Sequence, residues 1–549
     1  MTPPPAPSGG PARLARWLPL VGWVAGSDRR SLRDDAVAGL TVAAMLVPQS
    51  MAYAALAGMP PVTGLYAATV PVVVYALLGT SAQLAFGPVA IVALLTASTL
   101  APIADGDPGT YVALAGMLAV LVGAIQLGLG LLRAGRLTSV LSHPVVSGFT
   151  SAAAIVIATS QLGSLLGIDV GRPDGWLDRL GTLVAGLPHL HAPTAFVGAV
   201  AVVALLAGRR LRRRVPVALL VVAAATAAVP VLGLDAAGVA TIGEVPRGLP
   251  GPTLPAAPSA AIAALLPGAA VIALVAYLEG LSVARAVAIR TRDRVDPDRE
   301  LVASGAANLA AGVIQAFPVA GGFSRTAVNH AAGARTPLAG VAAALGVLLA
   351  LLVFAPLVTT LPEAVLAAVV VVAVTALVDV RGAIHVARIE PTDGVALAVT
   401  FLATLLVGVE EGIAIGIVAA LALTWWRSGP PWHGRVRVPE PGVVAVDGPL
   451  VSSTSVRLLD AVDGVLAAAP GDAIVLDLSG VPVADATGVQ GLVAVDAACA
   501  GAGVTLHLAG AGPGIVVPLE RGYLAARFAG RGHPDVPAAL RAVSAHSAR

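Results

Sequence analysis

The stretch Gln315-Ala-Phe-Pro-Val-Ala-Gly-Gly-Phe-Ser-Arg-Thr-Ala-Val-Asn329 decides how this chain is read. It lies deep in apolar sequence, where an arginine is rare. Pro318 and the pair Gly321-Gly322 forbid a regular helix before Phe323. Ser324 suits an N-cap, which predicts a short helix from there to about Gly333. About ten residues span roughly 15 Å, half of a bilayer core near 30 Å. A half-helix that starts inside a membrane leaves unpaired N–H groups and a positive dipole end. Arg325 adds a full positive charge there, and together these features describe an anion site. The alternative is a re-entrant loop whose arginine pairs with an acid or snorkels to the interface.

The rest of the composition fits a membrane setting. Of 549 residues, 57% are hydrophobic and 12% charged. The mean hydropathy is +0.88. Such a chain is an integral membrane protein with a smaller soluble tail. The net charge of +2 says little about partners; all the positive charge is arginine, with no lysine, and no nucleic-acid partner is expected. The single Cys499 excludes an intramolecular disulfide and a multi-thiolate metal site, and no histidine cluster has metal spacing. No cofactor is expected. No nucleophile–base set is visible, so an enzyme is not expected either. Met1–Gly10 is rich in Pro, Ser and Gly and reads as disordered, without the apolar run of a signal peptide.

Leu14–Leu32, with Arg13, Arg16, Arg29 and Arg30 near Trp17 and Trp23, reads as an interfacial helix. Apolar spans follow near 36–56, 63–79, 87–101, 111–132, 143–166, 193–208, 215–234, 262–288, 299–315, 323–333, 338–356, 362–378, 392–408 and 411–426. That is about fourteen, some too short to cross alone. Alternate loops carry the arginines: Arg133 and Arg136; Arg209–Arg214; Arg290, Arg292, Arg294 and Arg299; Arg335; Arg381 and Arg388. The opposite loops hold Asp105 and Asp107, a mixed Asp169–Arg179 segment, Asp235 with Glu244 and Arg247, Glu363, and Glu410 with Glu411. This bias predicts an even count with both termini in the cytoplasm.

The third span begins at Gly87-Pro88 after a non-helical piece, as the tenth begins after Gly322. An offset of seven spans is odd, which predicts two inverted halves with broken helices facing each other. In the first span, Gln49 and Tyr53 lie four apart on one face, behind Pro48. They are candidates to wall an anion or to join helices. In the eighth span, Glu279 lies well inside the bilayer. A charged carboxylate is costly there, so Glu279 is expected to hold a proton near neutrality. It is a candidate proton carrier, or a structural partner of Arg325 or Arg285. After Trp425-Trp426-Arg427 and a Gly/Pro linker, strands and helices alternate, which predicts a small α/β domain. Its Asp485 and Thr487 read as capping residues at a helix start.

At these residues the chain resembles the SulP family, the sulfate-permease family of anion transporters. The matching stretches include Pro48-Gln-Ser-Met-Ala-Tyr53, Phe86-Gly-Pro88, Val146-Ser-Gly-Phe149, Phe317–Asn329 and Glu411-Gly-Ile-Ala-Ile-Gly416. The tail resembles a STAS domain through Asp477-Leu-Ser-Gly480 and Asp485-Ala-Thr-Gly488. The resemblance implies an α-helical membrane protein of seven plus seven inverted spans, with core and gate domains and an elevator-type movement. It implies a homodimer with cytoplasmic STAS domains in the bacterial inner membrane. It divides the chain into an N-terminal segment (1–34), a transmembrane domain (35–427), a linker (428–435) and the STAS domain (436–549). It assigns the anion to Gln49, Tyr53, the backbone at Val89 and Ala90, Phe323, Ser324 and Arg325, and the coupling proton to Glu279. The expected function is secondary active transport of a sulfate-like inorganic or small organic anion with protons. Sodium-coupled bicarbonate symport is the alternative, in which an Asp stands at position 279 and a hydroxyl residue four positions on. Here that place is held by Val283, with Ser282 adjacent. A reading of another class is an anion-responsive membrane sensor or scaffold acting through the STAS domain. Phosphorylated STAS relatives carry serine where Thr487 stands.

Overall fold

The computed structural model describes residues 18–104, 108–135, 143–171, 175–208, 216–243, 246–291, 293, 295–353, 359–428, 434–468 and 471–547. Met1–Gly10, Arg13, Arg16, Trp17, Asp105, Asp107, Arg136, Arg209–Arg214, Glu244, Arg292, Arg294 and linker positions 429–433 lie outside them.

Helices dominate as far as Ser428. In order they are α1 (Pro19–Ala25), α2 (Arg29–Leu56), α3 (Pro61–Ala67), α4 (Val70–Leu78), strand β1 (Phe86–Gly87), α5 (Ala90–Leu100), α6 (Pro108–Leu131) and α7 (His143–Leu166). Then come α8 (Trp176–Gly186), α9 (Ala192–Gly208), α10 (Val217–Leu232), α11 (Ser259–Thr291), α12 (Pro297–Val313) and strand β2 (Ala320–Gly321). The series ends with α13 (Phe323–Ala331), α14 (Leu338–Val353), α15 (Glu363–Val374), α16 (Val380–Ile389), α17 (Pro391–Leu406) and α18 (Val409–Ser428). The apolar stretches named above fall on helices, except that 63–79 is divided between α3 and α4 and that 354–356 lie outside the described residues. Among the described residues, six helical stretches are long and apolar enough to cross a membrane. Four shorter apolar helices, α5, α10, α14 and α17, accompany them. The interfacial helix expected over Leu14–Leu32 is not one piece. It stops at Ala25, and Asp28 starts α2 by accepting the Ser31 N–H at 2.7 Å, so residue 34 falls inside α2. Pro48 sits within α2 without ending it.

The described residues form two compact units, one drawn from 18–135 and 153–377, the other from 143–152 and 378–547. In the first, two buried carboxylates pin the loops that flank the short helices. Glu300 accepts from the Tyr75 hydroxyl (2.5 Å), the Thr80 N–H and hydroxyl (2.7 and 2.6 Å) and the Ser81 N–H (3.1 Å). This fixes the approach to β1, where the Tyr75 ring stacks on Phe86 at 4.4 Å. Asp35 accepts from the Arg335 and Thr336 N–H groups (2.7 and 3.1 Å) and the Thr336 hydroxyl (2.6 Å), fixing the exit from α13. A buried carboxylate is tolerated because several donors replace its hydration.

The second unit holds the tail: β3 (Arg435–Glu440), β4 (Val443–Asp447), α19 (Ser452–Ala467), β5 (Ala473–Gly480), α20 (Ala486–Gly501), β6 (Thr505–Ala509), α21 (Pro513–Arg521), β7 (Gly532–His533) and α22 (Val536–Ser547). The sheet order is β3-β4-β5-β6-β7, antiparallel only between β3 and β4. Alternate residues of β5 face opposite sides. Ile474, Leu476 and Leu478 join a core with α19 and α20, while Val475 packs with Ala539 of α22. That larger core also contains Val386 and Ile389 of α16, both 0% exposed. At the start of α20, Asp485 accepts the Gly488 N–H at 2.6 Å, as a cap does, and Asp393 of α17 accepts the Ala486 N–H at 2.6 Å. The tail core is therefore completed by residues that precede the linker. Cys499 is buried in it, and burial, followed by the nearby Asp496, pushes its thiol up to about 11.

Ile389→Ala should cost about 2–4 kcal/mol of local stability. In the full-length protein, amide exchange of β5 should quicken, whereas Ile384→Ala, on the exposed face of α16, should leave it unchanged. Cys499 should resist maleimide at pH 8 until the protein is denatured, because almost none of the thiol is ionised.

Candidate functional site

The site begins with two breaks in apolar sequence. β1 and β2 pair antiparallel, Phe86 with Gly321 and Gly87 with Ala320. Each strand is followed by a short helix, eleven residues in α5 and nine in α13. Backbone groups on both sides are satisfied: the Gly322 N–H donates to Ala85 O at 3.0 Å, and the Ala85 N–H donates to the Thr326 hydroxyl at 3.0 Å. Thr326 in turn donates to Gly322 O at 2.7 Å. Strand backbone at membrane depth is permitted where protein supplies its hydrogen bonds.

Both helix starts are open. Val89 is the N-cap of α5 and Gly322 that of α13, and neither start is closed by a capping side chain. Ser324 is thus not the cap expected from sequence. The cap lies two residues earlier, since Gly322 already adopts the extended N-cap conformation. Ser324 instead lies in the first turn and is exposed, as is Phe323 at 53%. Gly322 has a second role. A Cβ there would stand 2.8 Å from Arg325 Nη2, so any larger residue would displace the guanidinium from its place over the helix start.

Arg325 is 3% exposed. Its Nη1 donates to Pro88 O at 2.6 Å, tying the start of α13 to the start of α5. Its Nε and Nη2 are buried without a hydrogen-bond partner. Glu279 Oε2 is likewise buried and unpartnered. No salt bridge within 4 Å joins Glu279 to Arg325 or Arg285 among the described residues, which disfavours the structural ion pair. The charges of Arg325 and Glu279 still act on each other and on the Tyr53 hydroxyl, so the three groups share one neighbourhood. α11 brings Glu279 there because Gly280 passes close to Gly321: a Cβ on Gly321 would lie 2.8 Å from Gly280 Cα.

The other expected residues are close by in the packing. α2 packs against both α5 and α13 and carries Gln49 and Tyr53, 9% and 7% exposed. Val89 and Ala90 are 5% and 7% exposed. Ser282 is exposed and Val283 buried, so no hydroxyl follows Glu279 by one turn. Sequence reasoning missed the supporting residues Thr326, Asn329, Gln83, Gln126 and Asn308. Their signal was available: each is a polar residue, 8% exposed or less, in or beside an apolar segment. Among the described residues no cluster of His, Cys, Asp and Glu has metal-binding geometry.

Residues 32–400 match the model of the sulfate permease family, and residues 433–522 match a STAS-domain model. A probable sulfate transporter of Mycobacterium tuberculosis is 42% identical over 412 residues, covering 75% of this chain and 72% of that protein. The chloroplastic sulfate transporter 4.1 of Arabidopsis thaliana is 37% identical, covering 76% of this chain and 61% of that protein. The structure of the murine Solute Carrier 26 family member A9 anion transporter is similar in fold, with a TM-score of 0.72 over 98% of this chain and 96% of that one, at 21% identity. The transmembrane domain of the cyanobacterial bicarbonate transporter BicA matches with a TM-score of 0.62 at 24% identity, over 72% of this chain and 98% of that one. The chain is thus a multi-pass membrane protein that belongs to the sulfate permease family and carries a C-terminal STAS domain.

Proposed function

We propose that this chain is a secondary active transporter of a sulfate-like inorganic or small organic anion, coupled to protons. The observation that carries the reading is the pair of unpartnered Arg325 nitrogens held between two open helix starts. An anion seated there meets a guanidinium and two positive dipole ends in a water-poor setting. Gln49, Tyr53, Phe323, Ser324 and the backbone at Val89 and Ala90 wall it.

Glu279 supplies the coupling. When protonated, it lets the anion enter without a second negative charge beside it. When it releases its proton to the cytoplasm, repulsion helps the anion leave. The relatives named as sulfate transporters support the substrate class. Sodium coupling has less support, since Val283 and not a hydroxyl residue follows Glu279 by one turn. The reading includes fourteen spans in two inverted sets of seven, an elevator-type shift, a homodimer and cytoplasmic termini in a bacterial inner membrane. The antiparallel β1–β2 pair and the placement of loop arginines are consistent with that arrangement.

Arg325→Ala removes the charged donor and should raise the KM for the transported anion about 10- to 100-fold. Arg325→Lys should restore little, because the contact to Pro88 and the two unpartnered nitrogens need a planar fork. Initial uptake rates into proteoliposomes across a panel of anions measure both. Glu279→Gln mimics the protonated acid. It should retain anion binding and exchange but lose stimulation by an inward proton gradient. Equal stimulation in wild type and variant would remove Glu279 from the coupling role, and wild-type uptake indifferent to pH would remove coupling altogether.

A further inference from the structure

Two side-chain amides lie fully buried, Gln126 in α6 and Asn308 in α12, each 0% exposed. Asn308 reaches the segment that leads into β2. Its Oδ1 accepts the Val319 N–H at 2.8 Å, and its Nδ2 donates to Val319 O at 3.1 Å. The side chain thus presents to Val319 the acceptor and donor that a neighbouring strand would present. The next two residues, Ala320 and Gly321, are paired by β1 itself. Val319 follows Pro318, which has no N–H, and lies outside the β1–β2 pairing, which begins at Ala320, so a partner for its backbone must come from elsewhere.

The amide is itself held. Asn308 Nδ2 also donates to Gln126 Oε1 at 3.0 Å and lies 3.1 Å from Ser304 O. Gln126 Nε2 donates to Ala273 O at 2.9 Å. Ala273 belongs to α11, six residues before Glu279. One chain of amides therefore joins α6, α12, the β2 segment and the helix that carries the acid. The Val319 N–H requires an acceptor, which orients the Asn308 amide, and Gln126 completes its donor face.

We propose that Asn308, seated on Gln126, is a positioning residue of the anion site. It fixes the extended backbone at Val319, and through it the angle at which α13 presents Ser324 and Arg325 to the start of α5. This rests on the reading of those helix starts as the anion site. Asn308 acts only through Val319 and is not assigned to touch the anion.

The test uses the purified full-length protein with sulfate as the probe, and reads two independent quantities. One is the split between KM and Vmax of uptake into proteoliposomes. The other is the rate at which a methanethiosulfonate reagent labels Ser324→Cys, measured without substrate. Cys499 is buried and does not interfere. Asn308→Ala should raise the sulfate KM about tenfold with Vmax within about threefold, and should change the labelling rate about fivefold. Asn308→Asp keeps an acceptor for the Val319 N–H but turns a carboxylate oxygen toward Val319 O and Gln126 Oε1, so it should rescue neither quantity. A purely structural role would lower yield and Vmax while leaving KM and labelling unmoved. The proposal is overturned if Asn308→Ala elutes like wild type and both quantities stay within about twofold, a change too small for a lost buried hydrogen bond. If that variant cannot be purified, Gln126→Leu, which removes only the seat, decides by the same twofold limit. If wild type moves no sulfate, the anion reading fails for that probe, while the labelling comparison still decides whether Asn308 positions α13.

Discussion

The structure depends on the contact between two interrupted helices inside an apolar body. A helix that begins within a membrane leaves several N–H groups without partners, and hydrocarbon offers none. Here two such beginnings are brought together by a two-residue antiparallel ladder, Phe86–Gly87 against Ala320–Gly321, and by Arg325 reaching Pro88 O at 2.6 Å. The strands spend their own hydrogen bonds on each other. The helix starts keep theirs open. This division puts a paired ladder and two uncapped helix starts into one short motif, because the uncapped turns lie just beyond the paired residues.

Holding such a centre in register takes polar residues that the hydrophobic effect does not favour. Glu300 and Asp35 each accept several hydrogen bonds and pin the loops on either side of the short helices. Thr326 links the two breaks by accepting from Ala85 and donating to Gly322. Hydrophobic contacts alone would let neighbouring helices slide, since lipid tails are as apolar as leucine. Directional hydrogen bonds remove that freedom. Against this background, two nitrogens of Arg325 and one oxygen of Glu279 are buried without partners, as is the side-chain oxygen of Asn329.

The tail shows the same economy in another form. Its sheet and four helices make an α/β domain, yet Val386 and Ile389, which precede the linker, are buried in its core. Asp393 takes a backbone N–H at the first turn of α20, beside the cap supplied by Asp485. A short amphipathic helix has one apolar face to bury, and the tail core is where α16 buries it.

Much of this was written in the sequence, and the reasons differ from residue to residue. Apolar runs located the helices because membrane burial demands them. Pro318 with Gly321-Gly322, and Gly87-Pro88, located the breaks because backbone chemistry forbids a helix there. Arg325 and Glu279 declared themselves by their cost in such surroundings. What sequence could not reveal were partners far along the chain: Pro88 for Arg325 is 237 residues away, and Gln126 for Asn308 is 182. The choice of Gly322 over Ser324 as helix start, the meeting of Gly280 with Gly321, and the burial of α16 in the tail core are also tertiary outcomes. Local propensity fixes where a chain bends and what it must bury. Only the packed structure decides which distant donor meets which acceptor, because many pairings satisfy the local rules equally and three-dimensional fit selects among them.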